Sequence, residues 1–279
     1  NLSGASVTVS PISNTTYSVL GVDAGGCSNS ATSSVTVNAV PTLTASISSS
    51  VICNGNSSIL SVTGASTYTW NPGSLSGSSV TVSPTSNTTY SVIGVDVNGC
   101  SNSATKSVTV NSVPTLTASI SSSVICNGNT VTLSVSGAST YTWNPGSLSG
   151  ASVTVSPTSN TTYSVIGINV NGCSSSATKS VTVNSVPVMT ASVTNVNCNG
   201  NANGSIIVNV SGGTLPYSYL WSNGNSSSQS NTLTAGNYSI QVSDLNNCST
   251  NTIVTLTEPS QLIANVSVVT PSCIGTSDG

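Results

Sequence analysis

Between Thr42 and Pro114 apolar and polar residues alternate with a period of two. Six runs carry the alternation: Leu43–Ser50, Ser57–Thr63, Thr67–Asn71, Ser79–Ser83, Thr89–Asp96 and Thr105–Asn111. Residues two apart on a strand share a face, so this period predicts strands buried on one side. Clusters of Gly, Pro, Asn and Ser bound each run and supply the turns. Tyr68 and Trp70 alternate with Thr on the third run, and Tyr90 opens the fifth. The 3.6-residue spacing of an amphipathic helix appears nowhere. Six to seven short strands in about 73 residues predict a small β-sandwich of immunoglobulin-like type.

The pattern repeats. Residues 115–187 restate residues 42–114 with few changes, so that Cys53 maps to Cys126, Trp70 to Trp143, Tyr90 to Tyr163 and Cys100 to Cys173. The same offset backwards places Cys27 on Cys100. The C-terminal third changes its wording but keeps the period: Cys198-Asn199-Gly200-Asn201 opens a unit that closes near Asn247-Cys248 and Glu258-Pro259, and Cys273 opens another such string. The predicted organisation is a slice of a longer tandem array. It comprises a partial repeat 1–40, full repeats 41–113 and 114–186, a variant repeat 187–260, and the start of a further one at 261–279. Val40-Pro41, Val113-Pro114 and Val186-Pro187 are short linkers with little freedom, because proline restrains itself and the residue before it. Each domain is expected to add about 30–40 Å to a semi-rigid rod.

Eight cysteines recur in step with the repeat. If consecutive strands run up and down, the connections after the first and fifth strands lie at one end of a sandwich. That predicts one disulfide per domain: Cys53–Cys100, Cys126–Cys173 and, by position, Cys198–Cys248. Closing such a loop is worth about 4 kcal/mol in the chain-entropy model, which matters for a core this small. Disulfides imply an oxidising compartment.

Composition narrows the function classes. Only 3% of residues are charged, His is absent, and about a third of the chain is Ser or Thr. Without His no Ser-His-Asp or Cys-His arrangement can be assembled, and no imidazole can ligate a metal. A formal net charge of −3 with only two lysines gives no electrostatic footprint for nucleic acid or anionic lipid. The apolar runs are a few residues long, so no membrane insertion is expected. No catalytic residue, cofactor or metal is called for.

Three groups of residues invite a functional reading, and each has a plainer one. Trp70, Trp143 and Trp221 could stack on sugars, but each lies at an alternating position on a central strand and reads as core, together with Tyr90 and Tyr163. Asp96-Val97-Asn98-Gly99 could ligate calcium, but the sister strings are Asn169-Val170-Asn171-Gly172 and Asp23-Ala24-Gly25-Gly26, so the corner reads as a turn. Lys106 and Lys179 could join an intramolecular isopeptide bond, but the first copy carries Ser33 at that place and no acidic partner recurs, so they read as solvated strand lysines. Asn-x-Ser/Thr triplets at Asn14, Asn87, Asn160 and Asn237 follow from composition.

The string Tyr68-Thr69-Trp70-Asn71-Pro72-Gly73, followed by Val80-Thr81-Val82-Ser83-Pro84, Thr88-Thr89-Tyr90-Ser91-Val92 and Asn98-Gly99-Cys100, resembles the Ig-like (PKD-like) repeats of secreted Bacteroidetes surface proteins. The later unit carries Cys198-Asn199-Gly200, Gly212-Gly213-Thr214-Leu215-Pro216-Tyr217, Trp221, Leu233-Thr234-Ala235-Gly236-Asn237-Tyr238, Asp244 and Glu258-Pro259. It resembles the SprB-type repeat of gliding-motility adhesins. The resemblance implies export by the type IX route, display on the bacterial outer cell surface, and a role in adhesion or gliding.

The expected function is a stalk or fibre segment of a very large surface adhesin, whose partners are the neighbouring repeats of its own chain. One alternative is a filament subunit with lateral contacts to other copies, since uncharged faces lack the repulsion that discourages sheet-edge pairing. A second is a module that grips surface polysaccharide, which would need exposed aromatics such as Tyr217 or Tyr219. A hydrolase resting on Asp and Glu alone ranks last, because no carboxylate pair recurs.

Overall fold

The computed structural model describes residues 3–269 and Gly275, so Cys273 and the opening motif around it lie outside the described residues. All of its regular structure is β. The chain divides into two compact units, Asn1–Pro114 with Val170–Cys173, and Thr115–Asn169 with Ser174–Gly279.

In the first unit a five-stranded sheet runs in the order Val51–Cys53, Ser101–Asn111, Thr88–Val95, Thr67–Asn71, Leu75–Ser76. A three-stranded sheet of Thr44–Ile47, Ser58–Thr63 and Ser79–Val82 accompanies it. The alternating residues Leu60, Val62, Trp70, Val92 and Val108 close one core between them, each at most 1% exposed. Burying side chains of this size contributes roughly 1.5–3 kcal/mol apiece. The second unit repeats the scheme with Leu133, Trp143, Val165 and Val181. Its remaining strands form two three-stranded sheets around Ile206, Trp221, Ile240 and Leu256: Val188–Thr194, Gly204–Ser211 and Gln229–Leu233, then Ser218–Trp221, Gly236–Ser243 and Ser249–Leu256.

The earlier hairpin Thr15–Val22 with Ser28–Val35 has the same register as its sisters but stays exposed. Val19 is 62% exposed, whereas its equivalent Val92 is fully buried. No second sheet covers it among the described residues.

One expected strand is two. The run Leu43–Ser50 forms only Thr44–Ile47, antiparallel to Leu60–Thr63. The chain then crosses to the other sheet, and Val51–Cys53 pairs parallel with Thr109–Asn111. Ser58, 1% exposed, pins the crossing: its hydroxyl donates to Ser49 O at 2.8 Å and lies 3.1 Å from Ser48 Oγ.

That crossing overturns the disulfide pairing read from the sequence. Cys53 lies beside Asn111, where the last strand ends, and Cys100 lies at the turn where that strand begins. Eleven residues of strand separate the two places, roughly 35 Å. Cys53–Cys100, Cys126–Cys173 and Cys198–Cys248 do not form, and the chain does not carry one disulfide within each domain. Among the described residues the bonds are Cys53–Cys173 and Cys126–Cys248, and Cys27, Cys100 and Cys198 are free thiols.

Candidate functional site

Each repeat carries two cysteine positions with separate supports. The first is the opening loop, Cys-Asn-Gly-Asn, at Cys53, Cys126 and Cys198. In each copy the second Asn closes a tight turn: Asn56 N donates to Cys53 O at 2.9 Å, Asn129 N to Cys126 O at 3.0 Å and Asn201 N to Cys198 O at 3.1 Å. The Gly between them sits at φ 93, 93 and 79, the region where a side chain is disfavoured. The loop is tied to the end of its own last strand, since Asn54 N donates to Asn111 O and Asn127 N to Asn184 O, both at 2.8 Å. In the variant repeat Glu258 makes this tie, accepting from Asn199 Nδ2 at 2.9 Å and from Gly200 N at 2.8 Å.

The second position is the hairpin corner, at Cys27, Cys100, Cys173 and Cys248. At three of these the corner is built by an aspartate whose Oδ1 accepts two backbone N–H groups at 2.9 Å each. Asp23 takes Gly25 and Cys27, Asp96 takes Asn98 and Cys100, and Asp244 takes Asn246 and Cys248. Asp244, 4% exposed, also accepts Thr214 N through Oδ2 at 2.9 Å. The geometry explains these carboxylates as turn builders, their oxygens turned to N–H donors. Among the described residues no three His, Cys, Asp or Glu gather as a metal site would require.

The corner thiol is seated on the chain that precedes its repeat. Cys173 Sγ lies 3.9 Å from Asn111 O, and Cys100 Sγ lies 3.9 Å from Asn38 O. Asn102 Nδ2 adds a bond to Pro41 O at 2.9 Å. The corner therefore belongs at the head of its repeat and the opening loop at the tail. A bond between them must run from the tail of one repeat to the head of the next. Cys53–Cys173 spans 120 residues and Cys126–Cys248 spans 122, with Cα–Cα distances of 5.6 and 5.5 Å, and each lies inside one compact unit. The spans overlap, because Cys126 falls between Cys53 and Cys173. Cys173 and Cys248 are fully buried.

The aromatic residues of the three cores face inward. Trp70 and Trp143 are fully buried and Trp221 is 2% exposed, with their indole N–H groups donating to Gly77 O, Gly150 O and Ser227 O. Tyr90 and Tyr163 are buried, and burial pushes both phenols above their ordinary range. Tyr217 and Tyr219 are half-buried against the third core, and the Tyr217 hydroxyl donates to Gly212 O. Lys106 and Lys179 sit within paired strands, opposite Tyr90 and Tyr163.

Sequence reasoning missed a recurrent clamp. Asn14, Asn87 and Asn160 each accept a backbone N–H from the end of their repeat, from Val110 and Val183 in the last strand at 2.8 Å and from Val37, two residues past its strand, at 2.7 Å. Their strict recurrence was the available signal, and composition alone had explained it away.

Comparison with known proteins follows the same lines. Residues 190–226 match the SprB repeat. No curated protein matches the chain. Among solved structures, an I-band fragment of titin is 15% identical over 80% of this chain and 100% of its own, at a TM-score of 0.42. A Ca2+-stabilized adhesin described as helping an Antarctic bacterium bind ice is 18% identical over 88% of this chain and 81% of its own, at 0.34. A bacterial ice-binding adhesin of 1.5 MDa is 16% identical over 81% of this chain and 100% of its own, at 0.28. The chain is thus an all-β array of sandwich repeats in which residues 190–226 match the SprB repeat.

Proposed function

We propose that this chain is a tension-bearing spacer segment of a large bacterial surface adhesin, exported to the outer cell surface, where it holds a distal binding region away from the cell for attachment or gliding. The observation that carries the reading is the overlapping pair of disulfides. Each bond ties one repeat's tail to the next repeat's head, so tension on the chain is shared covalently between repeats. Such bonds persist in an oxidising compartment. The SprB match points the same way, and the inward-facing aromatics leave a sugar-stacking shelf without support.

The test is on the native material. Intact cells are alkylated and shaved with protease, the released protein is mapped for Cys53–Cys173 and Cys126–Cys248, and filaments are imaged by electron microscopy. Release without lysis, both bonds oxidised and a thread one domain wide are expected. Recovery only after lysis, or cysteines found as thiols, would sink the surface assignment. A thick filament with several chains in cross-section would instead favour lateral assembly.

A further inference from the structure

We propose that Asn54-Gly55 and Asn127-Gly128 are sites of spontaneous, water-driven deamidation, and that Glu258 shields the matching pair Asn199-Gly200 from it. The three pairs stand in one string, Cys-Asn-Gly-Asn, so their intrinsic chemistry is the same and only their surroundings differ. All six residues are exposed. In this reaction the asparagine amide is attacked by the backbone nitrogen of the following residue, and glycine, lacking a Cβ, crowds that nitrogen least. Nothing lies within 4 Å of where a Cβ would sit at Gly55, Gly128 or Gly200, so steric access is alike in the three loops.

Hydrogen bonding separates them. In the first two loops the asparagine backbone makes the tie to the last strand, Asn54 N donating to Asn111 O and Asn127 N to Asn184 O, both at 2.8 Å. The two groups that react, the side-chain amide and the glycine N–H, are left without a partner among the described residues. In the third loop Glu258 takes both of them. Its Oε1 accepts from Asn199 Nδ2 at 2.9 Å and its Oε2 from Gly200 N at 2.8 Å, while Pro259 O accepts from Asn199 Nδ2 at 3.3 Å. A carboxylate on the Gly200 N–H opposes the loss of its proton, which attack requires. The bonds to Asn199 Nδ2 hold the side chain against the rotation that brings its carbonyl carbon onto that nitrogen. Hydrogen bonds to an ionised acceptor are the strong ones.

The step needs only water. The Gly55 nitrogen bonds to Asn54 Cγ, the bond from Cγ to the amide nitrogen breaks, and that nitrogen leaves with the glycine proton as ammonia. Water then opens the five-membered imide at either carbonyl, giving aspartate or isoaspartate. One amide and one water become one carboxylic acid and one ammonia, with no electrons transferred. The isoaspartate form adds a backbone carbon to the loop that carries the disulfide cysteine. Two added carboxylates take the formal net charge from −3 to −5. Because the change is irreversible and accumulates with time, it marks the age of the chain.

The experiment uses the full chain with its disulfides intact, incubated in mildly alkaline buffer. Peptides are mapped by mass spectrometry for conversion of amide to acid at each pair, with isoaspartate scored separately. Asn54 and Asn127 should convert at least about tenfold faster than Asn199, the factor that goes with breaking one charge-assisted hydrogen bond before attack. In concentrated urea, where the bonds to Glu258 are gone, the three identical strings should convert at one rate. Glu258→Ala should bring Asn199 up to the rate of the other two, with Cys53–Cys173, Cys126–Cys248 and resistance to trypsin retained as the check on folding. Equal conversion at all three pairs in the native chain overturns the proposal. So do Asn54 and Asn127 that keep their amides while the chain in urea loses them, or an Asn199 that stays slow in folded Glu258→Ala.

Discussion

When one molecule is pulled from its two ends, the shortest covalent path sets how far it can extend. With both bonds formed, that path runs from the N-terminus to Cys53, across to Cys173, back to Cys126, across to Cys248 and out. Residues 54–125 and 174–247 stay off it, about 146 residues, or roughly 510 Å at about 3.5 Å per residue. Reductant should release that length in a force-spectroscopy trace. Pairing inside each repeat would hide about 141 residues, roughly 490 Å, so the unmodified chain cannot separate the two topologies. Variants separate them. Cys100→Ser should leave the hidden length near 510 Å, whereas pairing inside repeats predicts a fall to roughly 330 Å. Cys126→Ser should leave about 119 residues hidden, roughly 420 Å, against roughly 330 Å for the alternative. A loss of about 160 Å on removing Cys100 would refute the overlapping topology. Each loop of about 120 residues is also worth about 5 kcal/mol in the chain-entropy model, and less than the sum for two that overlap. Reduction should therefore lower the unfolding midpoint as well as lengthen the trace.

Gly64 sits at φ 110, and a Cβ there would lie 2.0 Å from Thr42 O, so Gly64→Ala should cost several kcal/mol in urea denaturation; a loss below about 1 kcal/mol would contradict the close approach. The Tyr68 hydroxyl donates to Ala65 O at 2.6 Å and accepts from Ala65 N at 2.7 Å, so Tyr68→Phe should destabilise by about 1–3 kcal/mol, measured in the same assay. Burial raises the Tyr90 and Tyr163 phenols, so the folded state holds its protons above the pH at which the unfolded chain, near pH 10, gives them up. The thermal midpoint should consequently fall as pH rises past about 10, and Tyr90→Phe with Tyr163→Phe should flatten that fall. Lys106 and Lys179 lie inside paired strands, so native trypsin cleavage should track unfolding, and rapid cutting without unfolding would show that these strands open.

Local pattern determined the strands, the sandwich and the inward aromatics. The third run coincides with the strand Thr67–Asn71, because alternation over that stretch can bury Trp70 only as a strand. A period of two reports which side chains share a face. It carries no information on which sheet a strand joins, or which end of the sandwich a loop occupies. The step from Ile47 to Val51 between sheets was therefore invisible, and with it the place of Cys53 beside Asn111. Cysteine count and spacing pointed correctly to stapled repeats, but the choice of partner is a distance in space. Two cysteines 47 positions apart in one repeat lie at opposite ends of a strand, while those 120 apart meet. Burial shows the same division. Thr15-Thr16-Tyr17-Ser18-Val19 and Thr88-Thr89-Tyr90-Ser91-Val92 are one string and form one kind of strand, yet Val19 is exposed and Val92 is buried. Strand formation is decided by the residues along the chain, and burial and disulfide partner by what packs across from them.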